Sequence, residues 1–169
     1  MNRPPGDDGV RDHFREVMAG VPTPVSVVTS LDDGRPHGTT VSAFASLSMA
    51  PPMVLVALDH RSDLLAVVRR TNRFGLNVLG SDQAALATAF ARKGGSLKFT
   101  GVLWETADGV PRLLGARGFL GCAVARVVDG GDHVVLLADV RVADSGTGHP
   151  LTYYSRDFGT HVALDAVRP

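Results

Sequence analysis

The most informative stretch of the chain reads Gly38-Thr39-Thr40-Val41-Ser42-Ala43-Phe44-Ala45-Ser46-Leu47-Ser48-Met49-Ala50-Pro51-Pro52, and it is rich in small and hydroxyl side chains. A strand that served only a core would carry Val, Ile or Leu along one face, but this stretch carries five hydroxyl side chains within ten residues. Small side chains let a ligand approach the backbone, and the two prolines end the strand. The pattern favours either one wall of a site for a flat heteroaromatic ring or a solvated edge strand.

Strand patterns lie on both sides of this stretch. Residues 25–30 predict a strand, residues 32–34 a turn, and residues 35–46 the hairpin partner that carries the hydroxyl groups. Residues 53–58 and 74–79 predict two further strands, because each is a short apolar run.

The clearest hairpin in the sequence lies further along the chain. Residues 119–128 and 133–142 predict two long strands, and residues 129–132 predict the tight turn that joins them. Glycines at positions 130 and 131 supply the positive φ that such a turn demands.

Three short helices are predicted between or before the strands. The first covers residues 10–20, the second begins at a Ser62-Asp63 cap, and the third begins at a Ser81-Asp82 cap. The residues expected on their apolar stripes are Val10, Phe14, Val17 and Met18 in the first, Leu64, Leu65, Val67 and Val68 in the second, and Leu86, Ala89 and Phe90 in the third.

The order of these elements predicts a mainly β fold. Six or so strands that are mostly linked as hairpins, with three or so short helices inserted, favour a closed antiparallel barrel over a parallel α/β sheet. A chain of 169 residues is long enough for one domain with its own core. We therefore expect a disordered tail at residues 1–9, which are rich in Pro, Gly and Asp, and a single domain at residues 10–169.

Composition excludes several function classes. The 17 basic and 17 acidic residues balance, so we expect neither nucleic acid nor an anionic membrane as a partner. The single cysteine, Cys122, lies in an apolar run and predicts a buried, inert thiol, which fits a reducing cytoplasm. No signal-peptide core and no run of 18 apolar residues are present, so we expect a soluble cytoplasmic protein.

Common nucleotide and metal motifs are missing. No G-x-G-x-x-G follows a strand, and the chain has neither a phosphate loop of the G-x-x-x-x-G-K-[ST] kind nor a G-x-S-x-G elbow. The six histidines are scattered without the spacing of a metal site, so no metal is expected.

Two polar loops are candidate anion sites. Residues 59–62 lead into a predicted helix, where a serine hydroxyl, an arginine and free amides could converge on a phosphate, although an ordinary N-cap would account for the same residues. Arg92, Lys93 and Lys98 supply cations in a second, Gly-rich loop that could equally be a solvated basic turn.

His133 and a C-terminal aromatic group are candidate ligand-binding residues. His133 begins a predicted strand directly after a tight turn, where its imidazole could face a cleft or could remain an exposed turn residue. Tyr153, Tyr154 and Phe158 could stack on a cofactor ring or could simply close the end of the barrel.

Five motifs together resemble the flavin reductase family, in the same order as in that family and from about Phe14 to Phe158. The motifs are residues 40–48 with 51–54, 74–79, 83–91, 131–133 and 150–154. The family comprises small NAD(P)H:flavin oxidoreductases that serve two-component monooxygenases. The resemblance implies a six-stranded antiparallel Greek-key split β-barrel, the FMN-binding split barrel, with a few short peripheral helices.

The resemblance also implies which residues form the site. The strand matching residues 40–48 would lie along the isoalloxazine ring, residues 59–62 would approach the flavin side chain and phosphate, and residues 90–98 would complete the pocket. The implied cofactor-binding residues are Thr40, Val41, Ser42, Ser46, Leu47, Ser48, Ser62, Phe90, Ala91, Arg92 and Lys98. His133 is the implied catalytic residue, on the nicotinamide side. Ala43 departs from the family, in which a second serine is frequent at this position.

The implied activity is hydride transfer from NADH or NADPH to FMN or FAD, with reduced flavin passed to a partner monooxygenase or halogenase. A homodimer is also implied. Hydride transfer is cofactor chemistry, which agrees with the lack of a recognisable catalytic triad. Two alternatives on the same barrel stay open: an FMN-binding electron carrier or sensor without turnover, and a pyridoxamine-phosphate-oxidase-like protein, against which the Gly131-Asp132-His133 turn argues modestly.

Overall fold

Twelve strands and three α-helices make up residues 7–164, which are the residues that the computed structural model describes. The strands are β1 (Thr23–Pro24), β2 (Ser26–Asp32), β3 (Arg35–Val41), β4 (Phe44–Met49), β5 (Pro52–Asp59), β6 (Arg73–Val78), β7 (Trp104–Ala107), β8 (Val110–Leu113), β9 (Gly118–Gly130), β10 (His133–Ser145), β11 (Leu151–Tyr154) and β12 (Asp157–Thr160). The helices are α1 (Asp7–Ala19), α2 (Asp63–Thr71) and α3 (Ala84–Ala91), with short 3₁₀ turns at Ser81–Gln83 and Gly95–Phe99. The predicted mainly β class is confirmed.

Seven antiparallel strands form the main sheet, in the order β3-β2-β6-β9-β10-β5-β4. Successive side chains of a strand point to opposite faces of the sheet, and in β5 the side chains of Val54, Val56 and Leu58 point into the core. Leu136 of β10 lies directly opposite Val56, and both side chains are completely buried. The apolar stripe of α2 packs on this core as predicted, and Cys122 of β9 is buried in it with 1% exposure.

A second core lies under α3. Phe90 meets Phe99 edge to face, with 4.9 Å between ring centroids, and both rings are buried. The predicted stripe of α3 is partly wrong, because Ala87 is buried and Ala89 is exposed. The predicted cap is also wrong, since Ser81 and its neighbour Asp82 belong to the 3₁₀ turn that precedes α3.

The hydroxyl-rich stretch is two strands, which corrects the prediction of one continuous strand over residues 35–46. β3 is outermost on one side of the sheet and β4 is outermost on the other. Only Ser42 and Ala43 join them, so their nearest ends lie within about 11 Å of each other. The predicted six strands are seven in this sheet, and no hydrogen-bonded ladder between β3 and β4 is present among the described residues.

The hairpin between β9 and β10 is confirmed, with Gly131 at φ 69° in its two-residue turn. Helix α1 begins at Asp7, inside the segment predicted to be a disordered tail, while residues 1–6 and 165–169 lie outside the described residues. The apolar stripe of α1 is exposed, as Phe14 at 62% shows. None of the helices within residues 7–164 has the length and hydropathy of a membrane span.

Candidate functional site: two adjoining clefts

Two clefts adjoin each other near the ends of β3, β5 and β10. The first, here called the strand cleft, has a volume of about 250 Å³ and is lined by Thr39, Thr40, Val41, Ser42, Ala43, Ala57, Leu58, Asp59, Ser62 and His133. The second, the basic cleft, has a volume of about 420 Å³ and is lined by His37, Gly38, Thr39, Asp59, Arg61, Ser62, Asp63, Leu64, Ala91, Arg92, Lys93, Gly95 and Lys98. Thr39, Asp59 and Ser62 belong to both, so the clefts form one elongated site.

The wall of the strand cleft offers a ligand mainly backbone and small side chains. Thr40 is already engaged, because its hydroxyl donates to the Ala87 carbonyl oxygen at 2.6 Å. Val41 is 8% exposed and packs into the core. Ser42 and Ala43 are exposed, and β3 is an outermost strand, so one edge of its backbone has no strand partner among residues 7–164. Such a surface suits close approach by a flat ring.

Three predicted cofactor-binding residues lie apart from this wall. Ser46, Leu47 and Ser48 are on β4, the strand at the opposite edge of the sheet from β3, and they line neither cleft. The pairing of β4 with β5 is irregular between Ser46 and Ser48, and Leu47 at this irregularity is 42% exposed. The structure therefore divides the predicted flavin wall into two parts.

His133 reaches the strand cleft from the first position of β10, where it pairs with Asp59 of β5. Its Nδ1 atom lies 2.7 Å from Asp132 Oδ1, and its side chain is 43% exposed. The hydrogen bond to His133 holds the pKa of the Asp132 carboxyl below its usual value. Asp132 thus fixes the orientation of the imidazole at the cleft.

Ser62 occupies the N-cap position of α2, in the basic cleft. Its backbone is extended, with φ −71° and ψ 125°, and its hydroxyl makes no capping hydrogen bond. The amides of Asp63 and Leu64 find no acceptor among the described residues. The helix N-terminus therefore presents free donors and the positive end of its dipole to the cleft, which suits an anion.

The basic loop after α3 contributes in a different way from that predicted. Lys98 Nζ donates to the carbonyl oxygens of Gly38 and Phe90, each at 3.0 Å, and burial lowers the pKa of Lys98. Lys98 therefore ties β3 to the end of α3. Arg92 is exposed at the cleft, as is Ala91, whereas Phe90 is completely buried beneath it.

Asp59 lines both clefts. It lies in the loop of residues 59–62 that the resemblance places near the flavin side chain and phosphate, although only Ser62 of that loop is an implied cofactor-binding residue. Arg61 donates to Asp59 Oδ1 through its backbone amide at 2.7 Å and through Nε at 3.2 Å, and to Oδ2 through its terminal nitrogen at 3.0 Å. These bonds hold the pKa of the Asp59 carboxyl well below its usual range. Asp59 is the polar residue that ends the apolar alternation of β5.

The residues of the two clefts fit a flavin. One end offers backbone edges and small side chains, and the other offers a helix N-terminus with four cationic side chains against two carboxylates. Residues 7–164 hold no group of three His, Cys, Asp or Glu side chains that could bind a metal. The donor set matches an elongated ligand with a flat end and an anionic end.

Known proteins share this sequence and fold. The flavin reductase-like domain family matches residues 18–161. The reductase component of the 4-nitrophenol 4-monooxygenase/4-nitrocatechol 2-monooxygenase of Rhodococcus opacus is 42% identical over 149 residues, which cover 88% of this chain and 80% of that protein. The NADH:riboflavin 5'-phosphate oxidoreductase of Streptomyces pristinaespiralis is 37% identical over 154 residues, which cover 87% of this chain and 86% of that one.

A solved structure agrees with these matches. The NADH:FAD oxidoreductase SgcE6 of Streptomyces globisporus, in complex with NAD and FAD fragments, superposes with a TM-score of 0.85 at 30% identity, over 98% of this chain and 99% of that one. The enzyme class predicted from the sequence, an NAD(P)H-dependent flavin reductase that supplies reduced flavin to a partner oxygenase, is confirmed. The chain belongs to the flavin reductase-like domain family.

Proposed function

We propose that this reductase binds flavin with its ring in the strand cleft and its phosphate in the basic cleft. The observation that supports the proposal is that segments distant in the sequence line one cleft. These segments are residues 39–43, Asp59 with Ser62, and His133. Bound flavin would supply a ring that accepts hydride from a reduced nicotinamide. Ser42 and Ala43 would contact the ring, and Ser62 with Arg92 would hold the phosphate.

His133 is proposed as the residue that positions the nicotinamide. Its imidazole lies at the strand cleft, and the Asp132 carboxylate holds it through Nδ1, so the Nε2 edge is free to meet a polar substituent. Binding of the two rings in one orientation would place them in contact for transfer, and the chain need provide no acid or base.

We also propose that the main sheet curls into the split barrel and that the protein is a homodimer of one folded domain. The short Ser42-Ala43 link between the two outermost strands supports the curl. Leu137, Leu55 and Ala45 lie side by side across three strands, on the face opposite the core, and Ala57 continues this apolar face into the strand cleft. A second copy would cover it. Light scattering is expected to give twice the chain mass, and a monomeric mass would contradict the dimer.

For the two substrates we propose alternatives: the flavin is FMN or FAD, and the hydride donor is NADH or NADPH. The relatives support a separate oxygenase as the recipient of reduced flavin, since one of them is named as the reductase component of a monooxygenase. The test crosses NADH and NADPH with FMN and FAD and follows the loss of nicotinamide absorbance.

We expect catalytic oxidation of at least one nicotinamide with at least one flavin. Wild-type protein that binds flavin but shows no turnover in any of the four combinations would contradict the proposal and favour an electron carrier. For the role of His133, we expect His133→Ala to raise KM for the nicotinamide while flavin affinity stays within about twofold, and an unchanged KM and turnover would exclude that role.

A further inference from the structure

The apolar stripe of helix α1 is left uncovered by the described part of the chain. Every residue from Gly9 to Met18 is exposed, including Val10 at 69% and Val17 at 67%. An isolated helix of 13 residues is only marginally stable in water, and an apolar stripe normally stabilises a helix by packing on another element. Helix α1 therefore needs a surface that residues 7–164 of its own chain do not supply.

An open groove of about 430 Å³ lies beside the three-stranded sheet β1-β11-β12. Its lining includes Pro22, Tyr154, Phe158 and Gly159. Tyr154 and Phe158, which the sequence offered as candidates for stacking on a cofactor ring, line neither the strand cleft nor the basic cleft. Two aromatic rings and a proline give this groove the apolar character of a surface that receives a helix.

The groove is out of reach of the helix in the same chain. The Ser155 amide donates to the Ala19 carbonyl oxygen at 2.8 Å, which fixes the end of α1 at the turn between β11 and β12. The Gly20 amide continues the helix end by donating to the carbonyl oxygens of Glu16 and Val17, and Pro22 of the groove follows two residues later. So short a link cannot turn α1 back over the groove, and no residue of α1 lines it.

A second copy of the chain carries the matching surfaces. In a pair related by a two-fold axis, each α1 enters the groove of the other copy, so both stripes and both grooves are covered at once. The exposed parts of the stripe, Val21, Tyr153 and Tyr154 amount to roughly 700 Å² per copy, which is close to the ~800 Å² that each partner contributes to a stable interface.

We propose that α1 is an exchanged arm, whose stripe of Val10, Phe14, Val17 and Met18 docks in the groove beside β11 and β12 of a second copy. This inference rests on the homodimer proposed above. It adds a contact that is separate from the sheet face of Leu137, Leu55 and Ala45.

Cysteine cross-linking tests the contact between copies directly, because Cys122, the single cysteine of the chain, is buried. Phe14→Cys and Tyr154→Cys are purified separately, mixed to allow exchange of subunits, and treated with a short bismaleimide. We expect a covalent species of twice the chain mass. Asp12→Cys, on the side of α1 opposite the stripe, is the matched control and should give little of this species with Tyr154→Cys. A yield no higher than that of the control would overturn the inference.

The dimer dissociation constant, measured by sedimentation equilibrium, is the second readout. Phe14→Gln changes an exposed side chain and keeps a good helix former, so the single chain should fold normally. We expect the dissociation constant to rise by about a hundredfold or more, because each dimer loses two buried rings. Asp12→Asn should stay within about twofold of wild type.

The outcomes separate the arm from the dimer. A wild-type dimer whose dissociation constant is unchanged by Phe14→Gln would overturn the arm and leave the homodimer standing. An unchanged dissociation constant together with weaker coupling to the oxygenase would assign α1 to that partner and overturn the inference as well. A monomeric wild type would contradict the proposed homodimer itself, and the arm with it.

Discussion

The two halves of the hydroxyl-rich stretch have similar compositions and different surroundings. β3 lies over Phe90 and Phe99, donates a hydrogen bond to α3 through Thr40, and lines both clefts. β4 carries Ser46 and Ser48 on the other side of the sheet and lines neither cleft. The difference teaches that an excess of hydroxyl groups does not by itself define a site. What packs beneath a strand decides whether its backbone can hold a ligand.

The largest expected effect comes from a change that pushes β3 away from its support. A Cβ at Gly38 would lie 2.8 Å from Phe90 Cε1 and 3.3 Å from Phe99 Cζ, and both rings are buried and packed against each other. We expect Gly38→Ala to lower the free energy of unfolding by about 1–3 kcal/mol, measured by urea denaturation. Gly159→Ala is the matched control, because its Cβ would meet nothing closer than 3.6 Å. Equal stability of the two variants would show that β3 is not held as described.

A smaller effect is expected when the bond between β3 and α3 is removed. Thr40→Val keeps the shape of the side chain but loses the hydroxyl that donates to the Ala87 carbonyl oxygen. We expect a loss of about 0.5–1.5 kcal/mol in the same measurement. Ser46→Ala in β4 is the counterpart, and it should stay within about 0.5 kcal/mol of wild type. A larger loss in Ser46→Ala than in Thr40→Val would reverse the comparison.

The proposed ring site gives the next test. Ser42 is exposed at the strand cleft, so Ser42→Ala should lower FMN affinity by about fivefold through the loss of one hydrogen bond, as measured by fluorescence quenching. Ser48→Ala should leave that affinity unchanged. If Ser48→Ala weakened FMN binding and Ser42→Ala did not, the ring would lie along β4 instead of β3.

The smallest expected effect is a change in the stability contribution of Asp59 at low pH. The pKa of Asp59 in the folded protein lies below its ordinary value of 3.8, so its ionised form contributes stability above that value, and this contribution is lost as the pH falls through the folded pKa. The stability difference between wild type and Asp59→Asn should therefore be constant near neutral pH and shrink at low pH. Ser48→Ala removes a hydroxyl in β4 that is not part of the Asp59–Arg61 pair, so it should show no such change. A difference that grew on acidification would contradict the depressed pKa.

The sequence predicted elements whose information is local. The Gly131 turn, the apolar run of β5 and the buried stripe of α2 follow from φ requirements, from a short apolar run and from helical periodicity, each of which a single segment carries. Pairing between distant strands is not local, so the separation of β3 from β4 at residues 42–43 was missed. The sequence placed Asp59 in a candidate anion loop, but only the fold brings it beside β3.

The buried Cys122 has a consequence for an enzyme that releases reduced flavin, which yields hydrogen peroxide when it meets oxygen. Burial raises the pKa of this thiol to about 12, and it is the single cysteine of the chain. Hydrogen peroxide oxidises the thiolate form of cysteine. Because Cys122 stays a buried thiol, the enzyme presents no reactive thiolate to the peroxide that its product generates. Among the described residues, we expect oxidation to methionine sulfoxide first at exposed methionines. Met49, at 82% exposure, should be oxidised before Met18, at 45%.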